Sequence, residues 1–328
     1  MSSFDRSPVP TRLNRSQLAV PGIRPELFEK AAKSAADIIF LDLEDSVSPA
    51  DKETARRNVI DGLRSVDFKG KTVSVRVNGL DTPYMYRDVI DVVEAAGDKF
   101  DLMLVPKIGT PADVHAVDLL LTQIEMAKGY QRRIGLELMI ETAQGLTNVE
   151  AIAAASARAE SLHFGPGDFA ASTGARNPVI GGNNPDYAVL SGDKGDKTRT
   201  RHISDMSHYA LARIVVAARA CGLRPVDGPY ADYADAEGFT VAARRSAALG
   251  FEGKWVIHPS QITAANEAFT PPAEDVEQSR RVIAAMEQAR RAGKGAATLD
   301  GRMIDIASIR QAEVVVRKAD LIAQRVKA

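Results

Sequence analysis

The sequence lacks the features that define several classes of protein. It has one cysteine in 328 residues, Cys221, so it can form neither an internal disulfide nor a thiolate metal cage. Its 42 Lys and Arg nearly balance its 43 Asp and Glu, so no overall field favours nucleic acid or an anionic membrane. No apolar run reaches the roughly 18 to 20 residues of a membrane span, and the first 15 residues lack the apolar core of a secretory signal. We therefore expect a cytoplasmic globular enzyme with neither a nucleic-acid nor a membrane partner.

Short β-branched runs alternate with helical patterns along the first part of the chain. Eight such runs occur, at residues 17–22, 37–45, 71–79, 101–107, 134–142, 161–169, 223–229 and 253–259. Eight strand and helix units within about 260 residues predict an α/β fold of the (β/α)8 TIM-barrel type. A doubly wound open sheet is the alternative, but the glycine fingerprint of a dinucleotide-binding turn is missing after the first strand.

The pattern changes after the eighth run. Residues 274–292 and 306–325 predict two helices joined by a Gly-rich extended link, "AGKGAATLDGRMID", and this tail adds no barrel strand. We therefore predict two domains, a barrel over residues 1–270 and a helical tail over residues 271–328. Residues 177–202 form the longest irregular stretch, which is long enough to predict a lid or an interface loop.

Polar side chains stand at or near the ends of the predicted strands. Because the active sites of such barrels lie at the carboxyl ends of the strands, these side chains are candidates for the chemistry. They are Glu44, Asp45, Arg76, Asn78, Lys107, Glu141, Asp168, Asp227 and His258. Five of the nine are carboxylates, which would repel one another unless a cation lies among them. Oxygen ligands favour Mg2+ over Zn2+, which prefers His or Cys.

Motifs along nearly the whole chain resemble one enzyme family. "FLDLEDSV", "SVRVNGLDT", "LVPKIG", "LELMIET" and "FGPGDFAAS" occur in this order, followed by "DGPYADYADAEG", "GFEGKWVIHPSQI" and "GRMIDIASIRQAE". Their order and spacing resemble the HpcH/HpaI aldolase and citrate lyase β-subunit family, particularly its malyl-CoA and β-methylmalyl-CoA lyases. The resemblance implies a lyase dependent on Mg2+, with Mn2+ as a substitute. It would cleave malyl-CoA or β-methylmalyl-CoA reversibly to glyoxylate and acetyl-CoA or propionyl-CoA.

The resemblance also implies roles for the acidic residues at the strand ends. Glu141 and Asp168 would bind the metal directly, whereas Glu44 and Asp45 would hold its water ligands. Structural interpretations stay open for each of these carboxylates. Asp45 could begin a turn before the helix that follows Ser48, and Glu141 and Asp168 could form salt bridges.

Arg76 and Lys107 bring positive charge to the same edge of the barrel. Arg76 could pair with a substrate carboxylate, stabilise the enolate oxygen of the thioester, or only balance the acidic residues. Lys107 would change the mechanism if it formed a Schiff base, as strand-end lysines of some aldolases do. A CoA thioester has little need of an imine, so we expect Lys107 to provide electrostatic support.

Contacts to CoA and substrate are implied at the start of the first helix and at the strand ends. The residues concerned are Arg24, Lys30, Arg76, Gly167, Asp168, Ile257 and His258. Taken alone, His258 is typical of a packed strand end, and we expect it to form only a wall of the pocket. Ala19 and residues 202–210 depart from the aromatic residues of some relatives, which leaves the CoA and acyl-chain preference open.

The base that would enolise the thioester is implied on the tail. The family pattern assigns this role to Asp305, delivered over the active site of a neighbouring subunit, with Asp300 as the alternative. A tail that completes another subunit's site requires a homo-oligomer, and the resemblance suggests a trimer or hexamer.

Other activities stay open at this point. A citramalyl-CoA or citryl-CoA lyase, or a malyl-CoA thioesterase, would use the same metal site. A non-catalytic barrel would not need a ring of carboxylates, an arginine and a tail acid together. The sequence indicates neither the preferred acyl-CoA nor the physiological direction.

Overall fold

The structure is a computed structural model that describes residues 9–195, 198–293 and 295–327. Its chain divides into two compact units, of which the first ends at Asn266 and the second begins at Glu267. The predicted domain boundary lies slightly further along the chain, between residues 270 and 271. The function of the second unit as a lid over a neighbouring subunit stays a prediction.

The strands of the first unit are β1 (Ser16–Pro21), β2 (Ile38–Asp42), β3 (Thr72–Arg76), β4 (Leu102–Val105), β5 (Gly135–Ile140), β6 (Ala159–Phe164), β7 (Ala188–Ser191), β8 (Thr200–Ile203), β9 (Arg224–Asp227) and β10 (Gly253–Val256). Eight of them pair in parallel and close a barrel in the order β1-β10-β9-β6-β5-β4-β3-β2. Each predicted run overlaps one of these eight strands, so the predicted TIM barrel is confirmed. The runs are almost wholly buried, as expected for parallel strands that are covered on both faces.

The helices are α1 (Phe28–Ala32), α2 (Lys52–Ser65), α3 (Met85–Ala96), α4 (Pro111–Lys128), α5 (Ala143–Thr147), α6 (Val149–Ala154), α7 (Pro166–Thr173), α8 (His208–Ala220), α9 (Ala236–Leu249), α10 (Ile262–Ala268), α11 (Ala273–Arg291) and α12 (Ile306–Lys327). Local sequence explains their ends. Helix α4 begins with a capping box between Thr110 and Asp113 and ends at Gly129, whose φ of 67° suits a glycine. In the described part of the chain, no helix is both long and apolar enough to cross a membrane.

The barrel interior contains a polar cluster that the sequence analysis did not predict. Glu137 on β5 accepts hydrogen bonds from Ser74 at 2.6 Å and from His163 at 3.2 Å. The indole N–H of Trp255 donates to Nδ1 of His163 at 2.9 Å. Because an indole nitrogen can only donate, Nδ1 of His163 accepts this bond, and Nε2 faces Glu137 and also Ser161, whose Oγ lies 2.9 Å away. Since β-strand side chains alternate, Glu137 and His163 point inward with other core residues.

The predicted irregular stretch over residues 177–202 contains regular structure. Strands β7 and β8 pair antiparallel as a hairpin outside the barrel sheet, and residues 196 and 197 lie outside the described part. The expectation of an irregular loop is therefore wrong for this part of the stretch. Its function as a lid or interface stays a prediction.

The second unit packs α11 and α12 with a small hairpin formed by β11 (Ala297–Leu299) and β12 (Arg302–Ile304). Met286, Ile304 and Ile309 form its buried core. Asp300 and Gly301 connect the strands with positive φ angles of 51° and 75°. Two such residues in a two-residue turn are typical of a type I′ hairpin. The predicted extended link is therefore wrong, since the Asp-Gly pair closes a hairpin.

Candidate active site

A cavity of about 390 Å3 lies at the carboxyl ends of the barrel strands. Six of the residues predicted from the sequence line it, namely Asp45, Arg76, Glu141, Gly167, Asp168 and Ile257. Apolar side chains of Met139 and Trp255 form another part of the wall. The cavity thus combines a strongly charged side with an apolar side, as expected for a site that binds a small polar molecule through few contacts.

Glu141 immediately follows β5 and is fully buried. Its Oε1 accepts the backbone N–H of Lys107 at 2.7 Å, and its Oε2 has no hydrogen-bond partner among the described residues. Burial and the nearby charges of Glu44 and Asp168 raise the pKa of Glu141 to about 8. A Cβ at Gly165 would overlap Oε2, so a glycine is required beside this carboxylate. A buried oxygen without a partner fits a cation ligand.

Asp168 reaches the same cavity from the first turn of α7. Its side chain is 41% exposed, and its Oδ1 lies 3.9 Å from Nζ of Lys107. Across the residues that the structure describes, no three His, Cys, Asp or Glu side chains form a metal cage. One or two carboxylates with water or substrate oxygens are typical of Mg2+ sites. Glu141 and Asp168 therefore fit a Mg2+ ion better than a metal that needs an all-protein cage.

Arg76 ends β3 at the bottom of the cavity. Its Nε and Nη2 donate to the two oxygens of Asp42, at 2.6 Å and 2.8 Å. Its Nη1 lies 2.7 Å from Glu44 Oε2 and 3.4 Å from Asp45 Oδ2. Burial opposes its charge, but these carboxylates hold the pKa of Arg76 above its ordinary value. The two-pronged partner of Arg76 is therefore Asp42, and since Nη1 faces Glu44 and Asp45, the second N–H of Nη2 is the donor left for a substrate oxygen.

Asp42 is a residue of this site that the sequence analysis missed. It is the last residue of β2, is buried, and also accepts hydrogen bonds from Ser46 and from the backbone N–H of Glu44. Alternation along the strand places it on the same face as Phe40, which lies in the barrel core. That alternation was the signal that would have identified Asp42 as an inward-facing carboxylate.

Lys107 follows β4 with a φ of 53°, which is rare for a residue other than glycine. Its Nζ lies 2.5 Å from Glu44 and 3.9 Å from both Asp45 and Asp168. Burial opposes its charge, but the bond to Glu44 and the other carboxylates raise the pKa of Lys107. A Schiff-base lysine needs a lowered pKa. The surroundings of Lys107 therefore favour electrostatic support.

Two other strand-end residues have structural partners. Asp227 accepts from Lys254 at 2.6 Å and from Ser246 at 2.5 Å, all three side chains being buried. Asn78 donates to the backbone of Leu43 at 3.0 Å. The ring of carboxylates without a positive partner is therefore smaller than predicted, because the ammonium group of Lys254 neutralises Asp227.

The predicted CoA contacts are divided between two places. Gly167 and Ile257 line the cavity, whereas Arg24 forms an exposed ion pair with Glu26 at the start of the first helical turn. Lys30 lines a different surface cleft. His258 is exposed, and its ring stacks on Tyr233 with 4.8 Å between ring centroids. The predicted phosphate contacts stay predictions.

The two candidate bases have local roles in the second unit. Asp305 caps α12, because its Oδ1 accepts the N–H groups of Ala307 at 2.9 Å and Ser308 at 3.0 Å. The hydrogen bonds from Ser308 lower the pKa of Asp305. Asp300 occupies the hairpin turn and pairs with Arg281 at 2.6 Å. Asp300 is therefore bound to α11, while the start of α12 binds Oδ1 of Asp305.

Comparison with known proteins agrees with this geometry. The profile that describes the HpcH/HpaI aldolase/citrate lyase family matches residues 15–259. The chain belongs to this family. The predicted family and the predicted class of enzyme, a carbon–carbon lyase, are therefore confirmed.

Members of the HpcH/HpaI family with known names match almost the whole chain. An L-malyl-CoA/β-methylmalyl-CoA lyase of Rhodobacter capsulatus is 51% identical over 98% of this chain and 99% of its own length. A malyl-CoA/β-methylmalyl-CoA/citramalyl-CoA lyase of Chloroflexus aurantiacus is 36% identical over 93% of this chain and 86% of its own length. These relatives agree with the family and enzyme class that the motifs predict.

A solved structure of the family shares the fold. CitE of Mycobacterium tuberculosis, in complex with magnesium, acetoacetate and coenzyme A, is 29% identical to this chain. The two align with a TM-score of 0.70 over 94% of this chain and 98% of that one. That relative binds both a magnesium ion and CoA.

Proposed function

We propose that this chain catalyses the reversible cleavage of L-malyl-CoA or β-methylmalyl-CoA to glyoxylate and acetyl-CoA or propionyl-CoA, with Mg2+ as cofactor. The observation that carries the proposal is the buried Oε2 of Glu141, which has no protein partner among the described residues and lies beside Asp168 at the cavity. The malyl-CoA lyases that match almost the whole chain support the choice of substrate.

Glu141 and Asp168 would hold the divalent cation in this proposal. A cation bound there supplies the positive charge that polarises the carbonyl of the oxo acid. Mn2+ should substitute for Mg2+, because both ions accept carboxylate and water oxygens in an octahedral arrangement. Glu44 and Asp45 lie close by and would hold water ligands, although Glu44 is also paired with Lys107 at 2.5 Å.

Arg76 would stabilise the negative charge that develops on the thioester oxygen. It lines the cavity, is buried, and uses Nε and Nη2 for Asp42, so its direction is fixed before a substrate binds. A preorganised donor of this kind lowers the energy of an enolate without a reorganisation of its surroundings. Asp42 is then the residue that holds Arg76 in place.

We further propose that Asp305 of a neighbouring subunit removes a proton from the carbon next to the thioester carbonyl in the synthetic direction. Its Oδ1 is bound by the start of α12, and this bonding would orient Oδ2 toward a substrate. The enzyme would therefore be a homo-oligomer, with a trimer or hexamer expected. Arg24, Lys30, Gly167, Ile257 and His258 are the proposed contacts to CoA.

Mixing two inactive variants tests whether Asp305 acts in the active site of a neighbouring subunit. Asp305→Asn and Glu141→Ala subunits, each nearly inactive alone, should regain part of the activity when they exchange in one oligomer. Some sites would then combine an intact metal centre with an intact tail. Light scattering would verify the oligomer before mixing. If no activity returns after verified exchange, Asp305 does not act across subunits, and if Asp305→Asn is fully active, the base is another residue.

A direct assay tests the reaction itself. Purified protein would be incubated with glyoxylate, Mg2+ and either acetyl-CoA or propionyl-CoA, and the CoA thioesters separated by chromatography. We expect malyl-CoA or β-methylmalyl-CoA to form, EDTA to abolish the reaction, and Mg2+ or Mn2+ to restore it. Release of free CoA from malyl-CoA without glyoxylate would indicate a thioesterase. A borohydride-trapped adduct on Lys107 with no effect of EDTA would indicate a Schiff-base aldolase.

A further inference from the structure

Lys107 combines a strained backbone with a charge in the active site. Within the described residues, only Lys69, Lys107 and Asp300 have a positive φ without being glycine. Lys69 and Asp300 each precede a glycine that also has a positive φ. Lys107 instead lies two residues after the end of β4, where no turn of this kind requires the conformation. Backbone strain that a turn does not explain is typical of functional sites.

The strained conformation brings two groups of Lys107 to two different carboxylates. The backbone N–H reaches Glu141 Oε1 at 2.7 Å, and Nζ reaches Glu44 Oε1 at 2.5 Å. Glu44 follows β2 and Glu141 follows β5, on either side of the Lys107 segment. The ammonium is thereby held 3.9 Å from Asp168, the second proposed metal ligand. It is only partly buried, with 26% of the side chain exposed.

We propose that the Lys107 ammonium weakens the binding of a divalent cation to the substrate-free site and strengthens the binding of the anionic oxo acid. The metal ion would therefore bind mainly together with the oxo acid. A fixed positive charge at this distance repels a dication and attracts a carboxylate, and the partial burial of Lys107 strengthens both effects relative to bulk water. This inference rests on the metal site of the function proposed above.

A purely structural role for Lys107 makes a different prediction. If Lys107 only neutralised Glu44 and supported Glu141, its removal would disorder the site and weaken the binding of both ligands. The charge effect instead changes the two affinities in opposite directions. The two affinities, measured separately, therefore distinguish the two roles without a measurement of turnover.

Lys107→Asn is a suitable variant, because asparagine tolerates a positive φ and carries no charge. Lys107→Gly is a second neutral variant that accepts the backbone conformation if the first folds poorly. Lys107→Arg keeps the charge. Lys69→Asn is the matched control, since Lys69 has a φ of 52° but is exposed on a turn.

The experiment measures the binding of Mn2+ to the full chain from the spin-resonance signal of the free ion, first without glyoxylate. The binding of glyoxylate is then measured by calorimetry at saturating Mn2+. For Lys107→Asn and Lys107→Gly we expect Mn2+ to bind at least about tenfold more tightly and glyoxylate about tenfold more weakly than in the unaltered protein. Lys107→Arg and Lys69→Asn should bind both ligands with nearly unchanged affinity.

Unchanged Mn2+ affinity in both neutral variants, or weaker binding of both ligands, would overturn the proposed charge effect of Lys107. It would leave the proposed metal site standing. Glu141→Gln provides the test of the site on which it rests, because it should bind Mn2+ far more weakly. If Mn2+ binds none of these proteins, even with glyoxylate, or binds Glu141→Gln normally, the proposed metal site itself is wrong.

Discussion

Glu137 and Glu141 lie on or next to the same barrel strand and are both fully buried, but their surroundings differ. Glu137 accepts hydrogen bonds at both oxygens, including those from Ser74 and His163. Glu141 accepts one, from the backbone of Lys107, and its Oε2 has no partner among the described residues. Burial raises the pKa of both, but the surroundings of Glu137 hold its pKa at about 2, while that of Glu141 is about 8.

The difference separates a structural carboxylate from a functional one. Glu137 lies inside the barrel, where residues of other strands supply its donors, and these hydrogen bonds stabilise its charge. Glu141 lies further along the chain, immediately after the end of β5. There it lines the cavity, and its second oxygen stays free for a ligand. An uncompensated buried charge lowers stability, so its presence indicates a site that binds something else. Four substitutions test this distinction.

The largest effect is expected for Glu141→Gln. This change removes one of two proposed metal ligands, so kcat/KM should fall by about 1000-fold or more, given several kcal/mol of electrostatic stabilisation. The melting temperature in EDTA should stay the same or rise, because burial and the charges of Glu44 and Asp168 raise the pKa of Glu141 to about 8, so its ionised form adds no stability. Calorimetry checks the melting temperature, and the assay with glyoxylate and a CoA thioester checks kcat/KM. A clear loss of stability with retained activity would reverse the roles of the two glutamates.

Arg76→Lys should reduce kcat by about 100-fold, with a smaller change in KM. Lysine keeps the positive charge but cannot make the two parallel bonds to Asp42 and also direct an N–H group into the cavity. Steady-state kinetics at saturating Mg2+ separate the two constants. Turnover close to that of the unaltered protein would mean that Arg76 only balances the charge of Asp42, Glu44 and Asp45.

Glu137→Gln should reduce stability by about 2 to 3 kcal/mol at pH 7 and leave activity within about tenfold. The pKa of Glu137 is lowered from 4.5 to about 2 on folding. The charge therefore stabilises the protein above pH 4.5, and this contribution is lost as the pH falls toward 2. Urea denaturation at several pH values should show the difference between the two proteins shrinking below pH 4.5. A difference that does not depend on pH would contradict the ionised state of Glu137.

The smallest effect is expected for Ser74→Ala, which removes one donor from Glu137 but leaves the bond from His163. The cost should be about 1 kcal/mol in urea denaturation, with activity unchanged. A much larger loss would show that the cluster around Glu137 acts as one unit whose contributions are not additive.

Local patterns accounted for much of the fold. The eight barrel strands were predictable because parallel strands that are buried on both faces produce short apolar runs between helical patterns. The Asp300–Gly301 pair is also a hairpin signal, but the flanking strands are only three residues long and so add little alternating pattern to support it. The hairpin of β7 and β8 gave a weaker signal, since it lies among Gly, Asn and Asp residues.

The position of the candidate site was predictable from the sequence, but the pairing of its charged side chains was not. The order of residues places carboxylates, Arg76 and Lys107 after successive strands, and parallel strands bring their ends to one edge of the barrel. Which charges neutralise one another follows from the folded barrel alone, where Asp42 lies opposite Arg76 and Asp227 opposite Lys254. Those pairs join residues on neighbouring strands, and their distances depend on strand order, register and tilt, which no local pattern contains. For the same reason only the closed barrel shows that Glu141 keeps one buried oxygen for a ligand.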